Sequence, residues 1–298
     1  MKILISGASG FIGSALMKKL NPHEGWKLVR KKNGLQKNEI YWNPVKNEIE
    51  SDKMEGFDAI IHLAGESIVG RWTEEKKKKI RESRIQGTTF LSNTLLKLKT
   101  PPPTFLCASA IGYYGNRGNE TLDEASKAGK GFLAETCQEW EAASKVLEDK
   151  DIRVIHYRIG IVLSTQGGAL QKMLLPFKMG LGGKLGNGKQ WMSWISLEDL
   201  LEGILFILQH KEIKGPINAV SPNPVRNEEF TKILGKTLRR PTLLTTPAFA
   251  LKLTMGEMAE EVLLAGAKVL PSKLQKAHYN FKYPDLEIAL KEIIQNNL

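Results

Sequence analysis

KILISGASGFIGSALMKKL, residues 2–20, decides the fold of this 298-residue chain. KILIS is a short apolar run that reads as a buried strand. A glycine-rich turn closes it, and FIGSALMKKL continues with helical spacing. The turn carries Gly7, Gly10 and Gly13. Gly7 permits the tight turn, Gly10 lets a pyrophosphate approach the backbone, and Gly13 allows close packing of helix on strand. The first turn of the helix offers free N–H groups and a positive dipole to the phosphates. A glycine pattern by itself says little. In its strand–turn–helix context this one reads as a dinucleotide site.

Further strands follow: WKLVR (26–30), FDAIIHLAG (57–65), TFLCASA (104–110) and IRVIHYRIGIVL (152–163). FDAIIHLAG is apolar throughout, as a strand buried on both faces should be. Helical patterns lie between the strands, notably at 73–99 and 131–148. Strands alternating with helices predict an α/β fold with a doubly wound parallel sheet. After about residue 165 the rhythm changes to a second glycine-rich loop, KMGLGGKLGNGKQ, a helical stretch and short elements. Residues 1–165 are therefore read as a Rossmann domain. Residues 166–298 are read mainly as a C-terminal lobe roofing a cleft, with some elements returning to the sheet. The second glycine loop lacks the Gly-Lys-Ser/Thr of a triphosphate-binding loop.

Composition bounds the function. The hydrophobic fraction is 42%, and no apolar run reaches the roughly 20 residues of a membrane span. Two cysteines, Cys107 and Cys137, exclude a disulfide framework and a thiolate-rich metal site. No zinc-type spacing appears, so no metal is expected. A reducing cytoplasm is the expected compartment. The formal net charge is +11, but the lysines are scattered apart from the run at 76–79, and no basic run is interleaved with aromatics. Neither nucleic acid nor a membrane is expected as a partner; an anionic small ligand fits the local basic residues better.

The end of the second strand selects the dinucleotide. An acid there would bond the ribose 2′-hydroxyl of NAD. This chain has Arg30, Lys31 and Lys32 instead, which suits the 2′-phosphate of NADP(H). On the helix over 73–99, Thr73 is the expected N-cap. Ile80, Arg84, Gly87, Leu91 and Leu95 share one stripe. Arg84 thus faces the apolar side, where a charge needs a partner. That partner is a cofactor phosphate or ribose, or a protein carboxylate.

GASGFIG, HLAGE, SAIGYYG, GGALQKMLLPFKMGLGGKLGNGKQWMSWI, NAVSPNPVRNEEF and VLLAGAKVLPSKLQKAHYNFKYPDLEIAL run in order over nearly the whole chain. Together they resemble the epimerase-like atypical short-chain dehydrogenase/reductases, a family sometimes labelled a SulA-type cell-division inhibitor, with a characteristic C-terminal domain. The resemblance implies an extended Rossmann domain, NADP binding and a small lobe on the substrate side. By its motifs Gly7, Gly10, Phe11, Ile12 and Gly13 would hold the pyrophosphate. Arg30 and Lys31 would take the 2′-phosphate, Leu63 and Ala64 would line the adenosine side, and Arg84 and Arg158 would lie along the cofactor path.

The wider superfamily moves a proton with a Tyr whose pKa a Lys lowers, four residues apart on one helix face. The helix over 131–148 would put Phe132 and Thr136 there, and neither can do that work. Ser109, Tyr113 and Tyr114 are the candidate substitutes, although the position of the usual serine falls near Ala110. Glu66 is a candidate substrate-facing base, and Trp191 and Trp194 are candidate pocket walls. His62 and His156, within strand patterns, are read as packed. Two functions stand: an NADP(H)-dependent oxidoreductase or epimerase-like enzyme of atypical mechanism, and a non-catalytic NADP-binding regulator acting through a protein partner.

Overall fold

The computed structural model describes residues 1–295. Strands β1 (Lys2–Ser6), β2 (Glu24–Val29), β3 (Glu39–Asn43), β4 (Glu48–Ile49), β5 (Ala59–His62) and β6 (Thr104–Ala110) belong to one sheet. A short β7 (Thr121–Leu122) lies outside it, and β8 (Arg153–Ile159) returns to it. The next strands are β9 (Ile161–Leu163), β10 (Gly183–Leu185), β11 (Trp191–Met192), β12 (Trp194–Ser196) and β13 (Gly215–Ala219), followed by β14 (Val225–Arg226), β15 (Leu244–Thr246) and β16 (Lys268–Val269). The eight-stranded sheet has the order β13-β8-β6-β5-β1-β2-β3-β4. All neighbours are parallel except β3 and β4. Strand order reverses between β1 and β5, and a doubly wound sheet opens its ligand crevice outside the carboxyl ends of the strands at such a point.

Helices α1 (Phe11–Lys19), α2 (Glu74–Leu95), α3 (Phe132–Ala142), α4 (Gly168–Lys178) and α5 (Leu197–Gln209) pack on the sheet or beside it. Beyond them are α6 (Asn227–Leu238), α7 (Ala248–Met255), α8 (Ser272–Lys276) and α9 (Leu286–Gln295). One face of the sheet buries Ile3, Ile5 and Ile155 against α1 and α5, and the other buries Leu4, Ile60 and Phe105 against α2 and α3. A separate core around Phe177, Trp194 and Phe230 holds the C-terminal lobe.

Two segments differ from the sequence reading. The helix expected over 131–148 ends at Ala142 and resumes as a 3-10 segment over Lys145–Lys150. Ser144 lies at the break, where its hydroxyl bonds back to the Glu141 carbonyl at 3.2 Å and meets His156 at 2.9 Å. The strand expected over 152–163 breaks at Gly160, where a side chain would strike the Ser193 carbonyl oxygen at 2.5 Å. Beyond it the chain leaves the sheet and β9 pairs with β12. Strand β3 is an addition to the strands read from the sequence. β13 lies far along the chain yet pairs with β8 over Gly215–Ala219, and α5 packs beneath the sheet.

Candidate functional site

At the switch point the chain comes very close to itself. Gly7 has a φ of +71°, and a Cβ there would lie 2.8 Å from the Ala64 nitrogen and the Leu63 carbonyl carbon. A Cβ on Gly13 would collide with the Gly7 carbonyl oxygen. Gly10 donates to that same oxygen at 2.9 Å and is exposed, with no other atom crowding its missing Cβ. α1 has no acid in its first turn and no side-chain cap, so nothing in the chain neutralises the positive end of its dipole. The Ser6 hydroxyl ties β1 to β5: it meets His62 Nδ1 at 2.6 Å and accepts from the Leu63 and Ala64 N–H groups at 3.2 and 3.3 Å. Burial holds His62 neutral, with its pKa lowered to about 4. Phe11 packs against Gly167 and Gly168 at the start of α4, so the C-terminal lobe touches the glycine turn.

Arg30 and Lys31 follow β2 and are exposed. Arg30 has no polar partner among the described residues, and Lys31 reaches only the Gly34 carbonyl at 3.4 Å. Lys32 is drawn aside towards Glu48. Arg84, half-buried on α2, donates to the Glu66 and Ile80 carbonyls at 3.0 Å and lies 5.0 Å over the Trp140 ring. It has no carboxylate partner among the described residues, and burial pulls its pKa down. The expected N-cap holds: Thr73 accepts from the Lys76 N–H at 3.1 Å.

The carboxyl ends of β6 and β8 are organised differently. Arg158 is buried and donates to both oxygens of Glu141 at 2.7 Å. Burial pulls the guanidinium pKa down, but Glu141 outweighs that and raises it. Ser109 donates to Glu141 at 2.7 Å. The Tyr114 hydroxyl, wholly buried, meets Arg158 at 2.9 Å, Asn218 Oδ1 at 2.7 Å and the Asp123 carbonyl at 2.9 Å. Burial pushes its pKa up to about 12. Arg158, Ser109 and Tyr114 are thus brought together, but into one internally matched network. Tyr113 stands at its margin, half-exposed, with the Arg158 guanidinium 3.5 Å over its ring. Its hydroxyl has no partner among the described residues.

On α3, Leu133 and Cys137 face the turn that follows β6. A Cβ on Gly112 would lie 3.2 Å from Leu133 Cβ and 4.0 Å from Cys137 Sγ. These lie one residue along from Phe132 and Thr136. Phe132 turns instead to Trp72 at 5.2 Å, and Thr136 is buried with its hydroxyl unpartnered. Leucine has no proton to give, and burial pushes the Cys137 thiol up to about 11. The start of α3 receives Glu261 from the lobe, whose carboxylate accepts from the Phe132 and Leu133 N–H groups at 2.8 and 2.9 Å.

Of the other candidates, Glu66 pairs with Lys76 at 2.6 Å, and that hydrogen bond lowers its pKa. Trp194 is wholly buried in the lobe core with its indole N–H on the Asn223 carbonyl, so it is core and not a pocket wall. Trp191 is half-buried, with Arg226 4.2 Å and Lys268 5.1 Å from its ring and its indole N–H on Asn119. Neither cation has a carboxylate within 4.0 Å among the described residues.

A model of the NAD dependent epimerase/dehydratase family matches residues 3–219, and one of a domain of unknown function, DUF1731, matches residues 246–293. The chain belongs to the NAD dependent epimerase/dehydratase family. An epimerase family protein of Mycobacterium leprae is 40% identical over 97% of this chain and 94% of its own length. The human epimerase family protein SDR39U1, crystallised with NADPH, matches with a TM-score of 0.90 and 32% identity over 99% of this chain and 100% of that one. A nucleoside-diphosphate sugar epimerase from Corynebacterium glutamicum matches with a TM-score of 0.82 and 35% identity, over 98% of this chain and 58% of that one.

Sequence reasoning did not single out Glu141, Glu261, Arg226 or Lys268, which the structure places around the candidate site. Glu141 follows the buried Trp140 on α3, and only the fold brings it to Arg158 and Ser109. The others lie in the lobe, and only the pairing of β11 with β14 and of β7 with β16 brings Arg226 and Lys268 to Trp191 and Asn119.

Proposed function

We propose that the chain binds NADP(H) at the switch point and is an oxidoreductase or epimerase-like enzyme that works without the Tyr–Lys pair. One observation carries the reading: the glycine cradle at Gly7, Gly10 and Gly13 opens beside two exposed cations, where an NAD site would have an acid. The NADPH in the human relative supports it. The N–H groups at the start of α1 bind the diphosphate, and Arg30 and Lys31 bind the 2′-phosphate. Arg84 lies beside Gly65 and completes the cofactor path. When bound, the nicotinamide donates or accepts the hydride. Leu133 and Cys137 keep the turn after β6 apolar and cannot move a proton. Tyr113 is then the residue that exchanges a proton with the substrate oxygen. Trp191, Arg226 and Lys268 form the lobe-side wall for an anionic part of the substrate.

A second reading, a non-catalytic NADP(H)-binding regulator, is favoured by the closed state of the Glu141 network, which leaves Ser109 and Tyr114 no free proton. One experiment separates the two. NADPH and NADH are titrated by fluorescence, and nucleotide sugars, ketones and aldehydes are then followed at the NADPH absorbance with product analysis for epimers. Charge-assisted contacts of roughly 1.5–3 kcal/mol give NADPH a ten- to hundredfold advantage that Arg30→Ala removes. Equal affinities sink the cofactor assignment. Turnover lost in Tyr113→Phe supports the enzyme, turnover that survives it removes Tyr113 from the proton path, and none on any substrate favours the regulator.

A further inference from the structure

The C-terminal lobe carries an apolar surface with a basic border. Leu243 is 91% exposed and Phe249 74%, and Leu244, Leu175, Met179 and Leu181 are exposed beside them. Two distant segments build it. β10 pairs with β15 and sets Gly183 opposite Leu244. Arg240 donates to the Lys178 carbonyl at 2.7 Å, and a Cβ on Gly180 would touch Pro241 at 4.0 Å. Leu175 and Met179 are one turn apart at the end of α4, and α7 continues the surface with Phe249 and Leu253 at the same spacing. Monomeric soluble proteins rarely leave such apolar groups together in water.

The charges around this surface have one sign. Neither residues 168–189 nor residues 230–256 contain an aspartate or glutamate. Lys236 and Lys252 are matched by Glu287 and Glu260 from neighbouring elements. Lys172, Lys178, Arg239 and Arg240 are exposed and have no carboxylate partner among the described residues. A second copy of this chain would bring these cations against their own kind in a two-fold interface. An anionic bilayer meets both features, since the apolar side chains enter the acyl boundary while the cations meet lipid phosphates.

We propose that this face docks the protein on an anionic phospholipid surface. The expectation of no membrane partner rested on contiguous runs, and this surface is assembled only by folding. The proposal does not rest on the cofactor reading, since it uses only the exposed side chains on and beside α4, β15 and α7 and the cations near them.

The test is sedimentation of the full chain with vesicles of phosphatidylcholine alone or of phosphatidylcholine with phosphatidylglycerol. Binding is expected only to the second, weakening with salt. Leu243→Ser combined with Phe249→Ser leaves the charge unchanged and should weaken it about tenfold or more. Lys172→Glu combined with Lys178→Glu, both exposed and without a carboxylate partner among the described residues, should abolish it. Both variants are on exposed positions and retain NADPH binding, which reports an intact fold. Failure to sediment with anionic vesicles overturns the proposal. So does binding unchanged by the serine variant, which would assign it to overall basicity. Self-association abolished by the serine variant, without vesicle binding, would assign the face to a second copy and also overturn it.

Discussion

The two ends of the crevice treat charge in opposite ways. Around β1, β2 and β5, Arg30, Lys31 and Arg84 are left without carboxylates, and the glycine cradle is open. Around β6 and β8, Arg158, Glu141, Ser109 and Tyr114 satisfy one another. On the proposed reading, the unpartnered cations at the first end are available to a ligand, while the buried ion pair at the second end is spent within the fold. The first end is therefore the one proposed to bind. The second has had its reactive groups drawn into structure, which leaves Tyr113 at the margin.

The strongest way to break that contrast is at Glu141. Glu141→Ala strands a buried guanidinium and should destabilise the protein by about 3–5 kcal/mol, read by urea unfolding without cofactor. Glu141→Gln keeps the hydrogen-bonding shape and should lose less. A stable Glu141→Ala protein would mean that the network is not structural. Arg84→Ala should do the reverse. It should weaken NADPH binding about ten- to hundredfold while lowering stability without cofactor by only about 1 kcal/mol. If its unfolding midpoint collapses instead, Arg84 belongs with Arg158 and the contrast fails there.

The smallest effect sharpens the comparison through pH. His62 lies at the open end and His156 at the closed end, and burial lowers both to about 4. The unfolded chain takes up these protons near the ordinary value of 6.5, and the folded one resists until about 4. Stability is therefore complete above about pH 6.5 and falls as pH drops towards 4, by at most roughly 1.4 kcal/mol per unit for each histidine. His156→Gln and His62→Gln should each flatten that slope, and only His62→Gln should also alter NADPH affinity. A slope unchanged in both variants would show that neither histidine is held neutral by the fold.

Much of the binding end was legible because it is local. Gly7 to Gly13, and Arg30 with Lys31, are read directly from strand–turn–helix chemistry. The other end depends on contacts between distant residues. Arg158 entered only through the family resemblance, as a residue along the cofactor path, and nothing local in the sequence points to its partner Glu141. Trp194 and Trp191 look alike in sequence, and one is core while the other carries two cations, because β12 turns inward and β11 faces β14. The break at Gly160 was hidden because both sides of it are apolar.

Strand β13 has a consequence for how the chain is made. It covers one edge of β8, a largely buried strand of seven residues, yet starts 56 residues after β8 ends (215 − 159). At about 5–20 residues per second, several seconds of synthesis separate the two. During that interval β8 is an uncapped edge able to pair with another nascent chain. Shortening the protein at residue 165 would make that exposure permanent. The apparent boundary between domains is therefore a poor place to cut, and the lobe acts as the last stave that closes the sheet.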